Sequence, residues 1–359
     1  MKVGILTYHN ARNYGAVLQS YALCETIKTF GVECEIIDYR CEKLENVYNY
    51  KKIPLSNARE FVKWLITYGQ NRKMDKNFQE FKKIYLTISK DKYNYDLISR
   101  TNDKYDLIIC GSDQIWNLYL NGEDYTYFLN FVNNTNKKMS YAASFGFSKV
   151  PDEFKENIKN MLNDFKYLSV RENSAKNIIS DLTGKNAEIV LDPTLLIDKK
   201  RWDMIAKTPL YKKPYIFVYT IAPAPGIFEF SKKLAKEKNC DIIYLRTSHR
   251  IKKGMHNICG ISPNEFIGYV KNASCVVTTS YNGFCFSLIY EKDFFYALDT
   301  SSNNNNSRLE TLADLLNLRS KCINYKDNLS FDDIDYKEIN KILEKEKEKS
   351  LKYLKNLID

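Results

Sequence analysis

Histidine is scarce in this chain: three in 359 residues, at positions 9, 249 and 256. Chemistry that needs an imidazole therefore has a countable set of donors. No two cysteines have CxxC spacing; the nine are scattered, at 24, 34, 41, 110, 240, 259, 275, 285 and 322. Most lie in apolar runs, where a free thiol behaves as a small hydrophobe, and a reduced, cytoplasmic compartment follows. No cluster of His, Cys and Asp has metal-ligand spacing, so no metal and no bound cofactor is expected. No apolar stretch approaches the roughly 20 residues that cross a bilayer. Met1-Lys2 runs directly into a strand-like VGILTY, without the basic-then-apolar pattern of a leader.

Apolar residues make up 44% of the chain and aromatics 14%, with 27 Tyr against 19 Phe. That is a folded protein with many amphipathic rings, long enough for two domains that each bury a core. The formal charge of +10 is compatible with nucleic acid, an anionic membrane or an anionic small substrate. Much of the excess lies in 51-KK, 71-NRKMDKNFQEFKK-83 and 342-ILEKEKEKSLKYLKNL-357. Basic strands interleaved with aromatics are missing, which argues against nucleic acid. Solvated helix faces account for most of the lysines, and attraction to anionic lipid headgroups is the sharper reading, one that allows a peripheral place at the inner face of a membrane.

Apolar periodicity predicts a βαβ opening: a strand at Lys2 to Tyr8, a helix through Val17, Leu18, Tyr21, Ala22 and Ile27, and a strand at Cys34 to Tyr39. Residues 41–100 read as a helical insertion rich in Tyr and Lys. Strand-like 105-YDLIIC-110, 138-KMSYAAS-144, 167-YLSVR-171 and 188-EIVLD-192 then alternate with helical pattern. Residues 197–214 read as a charged linker. A second alternating set follows, with strands at 215–221, 241–246, 274–279 and 293–298. The expectation is an α/β protein of two doubly wound, Rossmann-like domains, 1–198 and 199–330, facing a cleft lined by strand carboxyl ends. A charged amphipathic helix at 331–359 would fold back across them.

The strand-end turns carry the candidate chemistry. In 7-TYHNARNYGAVLQSYAL-23, Asn13 and Gly15 supply turn chemistry, with Gly15 admitting a ligand to the backbone at a helix start, though an ordinary βα turn has the same look. In 111-GSDQIWNLYL-120, Asp113 would stand at a cleft mouth and Trp116 offer a flat face to a sugar ring; a capping Asp over a core Trp is the alternative. Arg171, ending a strand in 169-SVREN-173, would grip a carboxylate or phosphate, or pair with a neighbouring acid. Asp192 in 191-LDPTLL-196 reads as a turn former. The strand-turn-helix 274-SCVVTTSYNGFCFSLIYE-291 aims the amides after Ser280 at the cleft from the positive end of a helix, and Arg308 begins another helix.

Taken in order, 13-NYGAVLQSYAL-23, 111-GSDQIWN-117, 140-SYAASFG-146, 169-SVRE-172, 191-LDPT-194, 279-TSYNGFCFSLIYEKDFF-295 and 307-SR-308 make a string that resembles the polysaccharide pyruvyl transferase family over residues 4–320. The resemblance implies a GT-B-like fold and transfer of a pyruvyl group from phosphoenolpyruvate, a co-substrate, to a sugar of a surface polysaccharide or its lipid-linked precursor, closing a cyclic ketal. On this reading Arg171, Ser280, Gly283 and Arg308 hold the donor; Asn13, Tyr14, Gly15, Gln19, Trp116 and Tyr281 meet the acceptor; Asp113 serves as base.

The resemblance also exposes a departure. Before the glycine of the 279–295 stretch the family usually carries histidine, implicated as a catalytic acid, and this chain has Asn282. An amide hydrogen-bonds phosphate but delivers no proton. Asn282 marks either a substitution introduced to trap a complex, a member using another acid, with His9 the best placed, or one drifted to another donor or to binding alone. The alternatives to pyruvyl transfer are a GT-B glycosyltransferase using a nucleotide sugar and a catalytically silent sugar-binding member.

Overall fold

The computed structural model describes residues 1–55, 57–301 and 306–358. In chain order its strands and helices begin with β1 (Lys2–Leu6), α1 (Tyr14–Lys28), β2 (Glu33–Tyr39), α2 (Glu42–Tyr48), α3 (Ala58–Tyr85), β3 (Ile88–Tyr93), β4 (Leu107–Cys110) and α4 (Leu118–Asn121). There follow β5 (Lys138–Ser140), α5 (Lys155–Asn163), β6 (Ser169–Val170), α6 (Asn173–Thr183), β7 (Glu188–Ile189), α7 (Lys199–Ile205), β8 (Tyr215–Tyr219) and α8 (Ile227–Glu237). The last are β9 (Asp241–Leu245), β10 (His256–Ile258), α9 (Pro263–Asn272), β11 (Cys275–Thr278), α10 (Tyr281–Ile289), β12 (Phe294–Tyr296), α11 (Ser307–Leu315) and α12 (Tyr336–Ile358).

The chain divides into two compact units. The first comprises Met1–Tyr48, Tyr85–Ile197 and Asn340–Asp359. Its sheet has the order β3-β2-β1-β4-β5, all parallel. β6 and β7 extend it through bridges from Met139 to Tyr167 and from Ala143 to Val170. Because strands buried on both faces need no alternation, β1 and β4 read as the apolar runs VGIL and LIIC. The second unit comprises Asn49–Ile84 and Asp198–Ile339, with a parallel sheet in the order β10-β9-β8-β11-β12. In both sheets the winding reverses beside the first strand of the set, between β1 and β4 and between β8 and β11. Ligands of such sheets sit outside the strand ends at that point.

Three expectations fail for physical reasons. The insertion 41–100 is not uniformly helical: β3 joins the sheet edge at Ile88–Tyr93, and its ISKDKY sequence shows no apolar run because an edge strand leaves its middle to solvent. The part 49–84 belongs to the second unit, where Asn77 Nδ2 donates to Gly260 O at 2.7 Å. The stretch 197–214 is no linker, since α7 lies in it and buries Trp202 against Phe286 at 4.8 Å between ring centroids. At the C-terminus, α12 begins within the second unit and ends within the first. There Ser350 Oγ accepts from Leu191 N and Tyr353 lies beside Tyr141.

Candidate active site

In the first unit the ends of β1, β4 and β6 are tied together by polar side chains. Thr7 Oγ1 donates to Ser112 O at 3.0 Å and accepts from Gln19 Nε2 at 2.9 Å, while Gln19 Oε1 takes the Ser112 amide at 3.1 Å. Gln19 is fully buried and is a strut between strand ends rather than an acceptor ligand. Gly111 has φ 131°, and a Cβ there would meet Tyr141 O at 2.0 Å, so only glycine lets this turn lie on the neighbouring strand. The turn delivers Asp113 at φ 84°, an unfavourable conformation for a residue with a Cβ and of the kind that clusters at functional sites.

Asp113 Oδ1 accepts from Gln114 N at 2.8 Å and faces Arg171 Nη2 at 3.5 Å; Oδ2 makes no hydrogen bond among the described residues. Arg171 is buried, with Nη1 on Asp192 Oδ2 at 2.7 Å, and Asp192 Oδ1 takes the Thr194 amide and hydroxyl. Of the two readings of Arg171, the structure displays the carboxylate pair, so the donor-gripping role is corrected to that of a buried brace for Asp113. Tyr8 and Tyr48 were missed by sequence reasoning. Burial, and after it the charge of Asp113, raises the pKa of both phenols. A tyrosine among 27 gives no sequence signal of facing a carboxylate.

His9 is fully enclosed. Its Nδ1 lies 3.2 Å from Thr7 O and its Nε2 2.9 Å from Asp38 Oδ1, so both ring nitrogens face acceptors. It is thereby corrected from catalytic acid to structural ion-pair partner. Asp38 also holds Arg40 through Nε at 2.6 Å and Nη2 at 2.9 Å. Burial pushes the Asp38 pKa up, but the bonds from His9 and Arg40 outweigh it and bring the carboxyl to about 2.

The acceptor set is largely overturned. Trp116 has no exposed surface; its indole donates to Tyr127 O at 3.1 Å and stacks on Phe128 at 5.4 Å, so it is core, and no sugar reaches it. Tyr14 is 3% exposed. Asn13 is exposed but caps α1, its Oδ1 taking the amides of Gly15 at 2.9 Å and Ala16 at 3.3 Å, so the Gly15 N–H is spent on the cap rather than on a ligand.

In the second unit, Thr278 Oγ1 donates to Tyr219 O at 2.7 Å and takes the Ser280 amide at 2.9 Å, while Thr279 Oγ1 takes the amides of Ile221 and Ala222. The ends of β8 and β11 are thus locked. Ser280 caps α10, its Oγ accepting from Gly283 N at 3.3 Å. Gly283 is needed for packing, because a Cβ would lie 2.5 Å from Thr278 Oγ1. Ser280 and Gly283 therefore shape the turn and are removed from the donor-binding set as direct ligands. Tyr281, expected beside the acceptor, is buried, with the Arg308 guanidinium carbon 5.7 Å from its ring centroid. Asn282 is 8% exposed, and its Oδ1 is buried without a hydrogen-bond partner among the described residues. The turn thus gathers Tyr281, Asn282 and Arg308 at the positive end of a helix, an arrangement suited to an anion. Among the described residues no group of three or more His, Cys, Asp or Glu is arranged to hold a metal ion.

Two Rossmann-like units with parallel, doubly wound sheets and polar clusters at their switch points define a scaffold of the GT-B class. The chain belongs to the polysaccharide pyruvyl transferase family, whose model matches residues 13–302. Among solved structures it is similar to the UDP-GlcNAc 2-epimerase of Methanocaldococcus jannaschii in complex with UDP-GlcNAc and UDP: 12% identity, 96% of this chain and 99% of that one covered, TM-score 0.50. The E. coli ADP-heptose lps heptosyltransferase II gives 11% identity, coverage of 96% and 99%, and a TM-score of 0.42. At such identity the epimerase likeness speaks to fold alone. No curated protein matches the chain at significance.

Proposed function

We propose that this chain transfers a pyruvyl group from phosphoenolpyruvate to two hydroxyls of a sugar in a surface polysaccharide or its lipid-linked precursor. Family membership supports the transferase class. The observation that carries the donor is the cluster of Arg308, Tyr281 and Asn282 at the start of α10. In the reaction the methylene carbon of phosphoenolpyruvate gains a proton, one sugar hydroxyl adds to C2, and the second displaces inorganic phosphate there to close the ketal. Of the two hydroxyl protons, one leaves on the released phosphate and the other balances the proton gained by the methylene carbon. Arg308 and the helix end neutralise donor charge.

Phosphate release from phosphoenolpyruvate, measured with and without candidate acceptor sugars, tests the reading. Acceptor-dependent release is expected, and Arg308→Ala should raise the donor KM by about tenfold or more while leaving the melting temperature unchanged. Absence of both release and calorimetric donor binding would overturn it.

A further inference from the structure

The basic segment 49–76 presents a face that the candidate site does not use. The first half of α3 turns one side inward: Trp64 Nε1 donates to Tyr50 O at 2.7 Å, and the Trp64 ring lies 6.0 Å from Phe61 and 5.0 Å from Tyr68. A second apolar stripe at i, i+3, i+4 spacing faces solvent, with Val62, Leu65 and Ile66 exposed by 52%, 54% and 63%. The loop before the helix adds Ile53 at 47% and Leu55 at 84%. A helix apolar on two sides has covered only one of them.

Cations surround the stripe. Lys51 and Lys52 precede it, Arg59 and Lys63 border it, and Lys73 and Lys76 continue the same helix face; all six are exposed. Against the seven Lys and Arg of residues 51–76 stand only Glu60 and Asp75. Protein interfaces deplete lysine, whereas a diffuse anionic surface favours it. Modest apolar insertion combined with a basic rim is the two-signal pattern of reversible bilayer attachment.

We infer that residues 51–55 and the outer face of α3 form a docking surface for an anionic lipid bilayer. Insertion of Leu55, Leu65 and Ile66 supplies the apolar part, and the lysines meet phosphate headgroups. No helix among the described residues is long and apolar enough to cross a membrane, so the attachment is superficial.

Co-sedimentation of the full chain with phosphatidylcholine vesicles, with and without about one third phosphatidylglycerol, tests this without any turnover. Binding to the anionic vesicles alone is expected. Leu65→Glu with Ile66→Glu should lower the partition coefficient by about tenfold or more, and Lys51→Glu with Lys52→Glu and Lys63→Glu should do the same, as should high salt. All five positions are exposed, and circular dichroism checks that the variants fold; if the first pair does not, the lysine set still decides. Undiminished binding by folded variants, or no binding by the parent chain, overturns the proposal. A loss of self-association in the Leu65, Ile66 variant without a change in vesicle binding overturns it in favour of a second copy of the chain.

Discussion

Asn282 concentrates the chemical question at a single side chain. Its Oδ1 is buried without a donor among the described residues, a state that costs about 1–3 kcal/mol and is relieved by a ligand hydroxyl or a water. The position would hold an imidazole between a helix end, which lowers its pKa, and a bound anion, which raises it. Asparagine keeps a hydrogen bond and loses the proton. His9, the alternative acid, has both ring nitrogens engaged by Thr7 O and Asp38, so donor binding without fast transfer is expected. Asn282→His should raise kcat by about 10²- to 10⁴-fold with little change in donor KM, as steady-state kinetics would show. Fast transfer by the unsubstituted chain would place the acid elsewhere. That Asn282 sits at the helix start was legible from strand-turn-helix patterning. That Trp116 is core was not, because a Trp after a turn has the same sequence whether it packs inward or outward.

Elements explain why the glycine after Asn282 is there at all. The family resemblance implies that Gly283 meets the donor, but the room it makes is for Thr278 at the end of the preceding strand. Thr278 cannot rotate away cheaply, since its hydroxyl bonds both Tyr219 O and the Ser280 amide. Gly283→Ala should therefore destabilise the protein by about 1–3 kcal/mol in urea unfolding, the range for overpacking. In a Thr278→Ala background the same change should cost clearly less, giving a coupling energy in the double-mutant cycle. Equal costs in both backgrounds would return Gly283 to the ligand. Strands with both faces covered, such as β4 and β11, were legible as apolar runs. β3 and β10 were not, because edge strands carry lysine, aspartate and histidine where a central strand carries valine.

For the whole molecule, alternating strands and helices were enough to indicate two parallel sheets, yet not how the chain is shared between them. Periodicity records that α3 has an apolar face but not which surface covers it, so the assignment of 49–84 to the second unit was invisible. A comparable long-range choice fixes Asp38, which lies at the end of β2 and receives His9 from the turn after β1. Its carboxyl titrates at about 2 in the folded protein, below the unfolded value near 3.9. The native state therefore holds fewer protons there than the unfolded chain, and the stabilisation is complete above roughly pH 4–5 and lost as pH falls toward 2. The shift corresponds to about 2 kcal/mol. Urea unfolding of the parent and of Asp38→Asn at constant ionic strength isolates the effect: the stability gap between them should narrow by about 2 kcal/mol between pH 5 and pH 2. A gap that stays constant would show that the His9 and Arg40 bonds do not hold this carboxylate ionised.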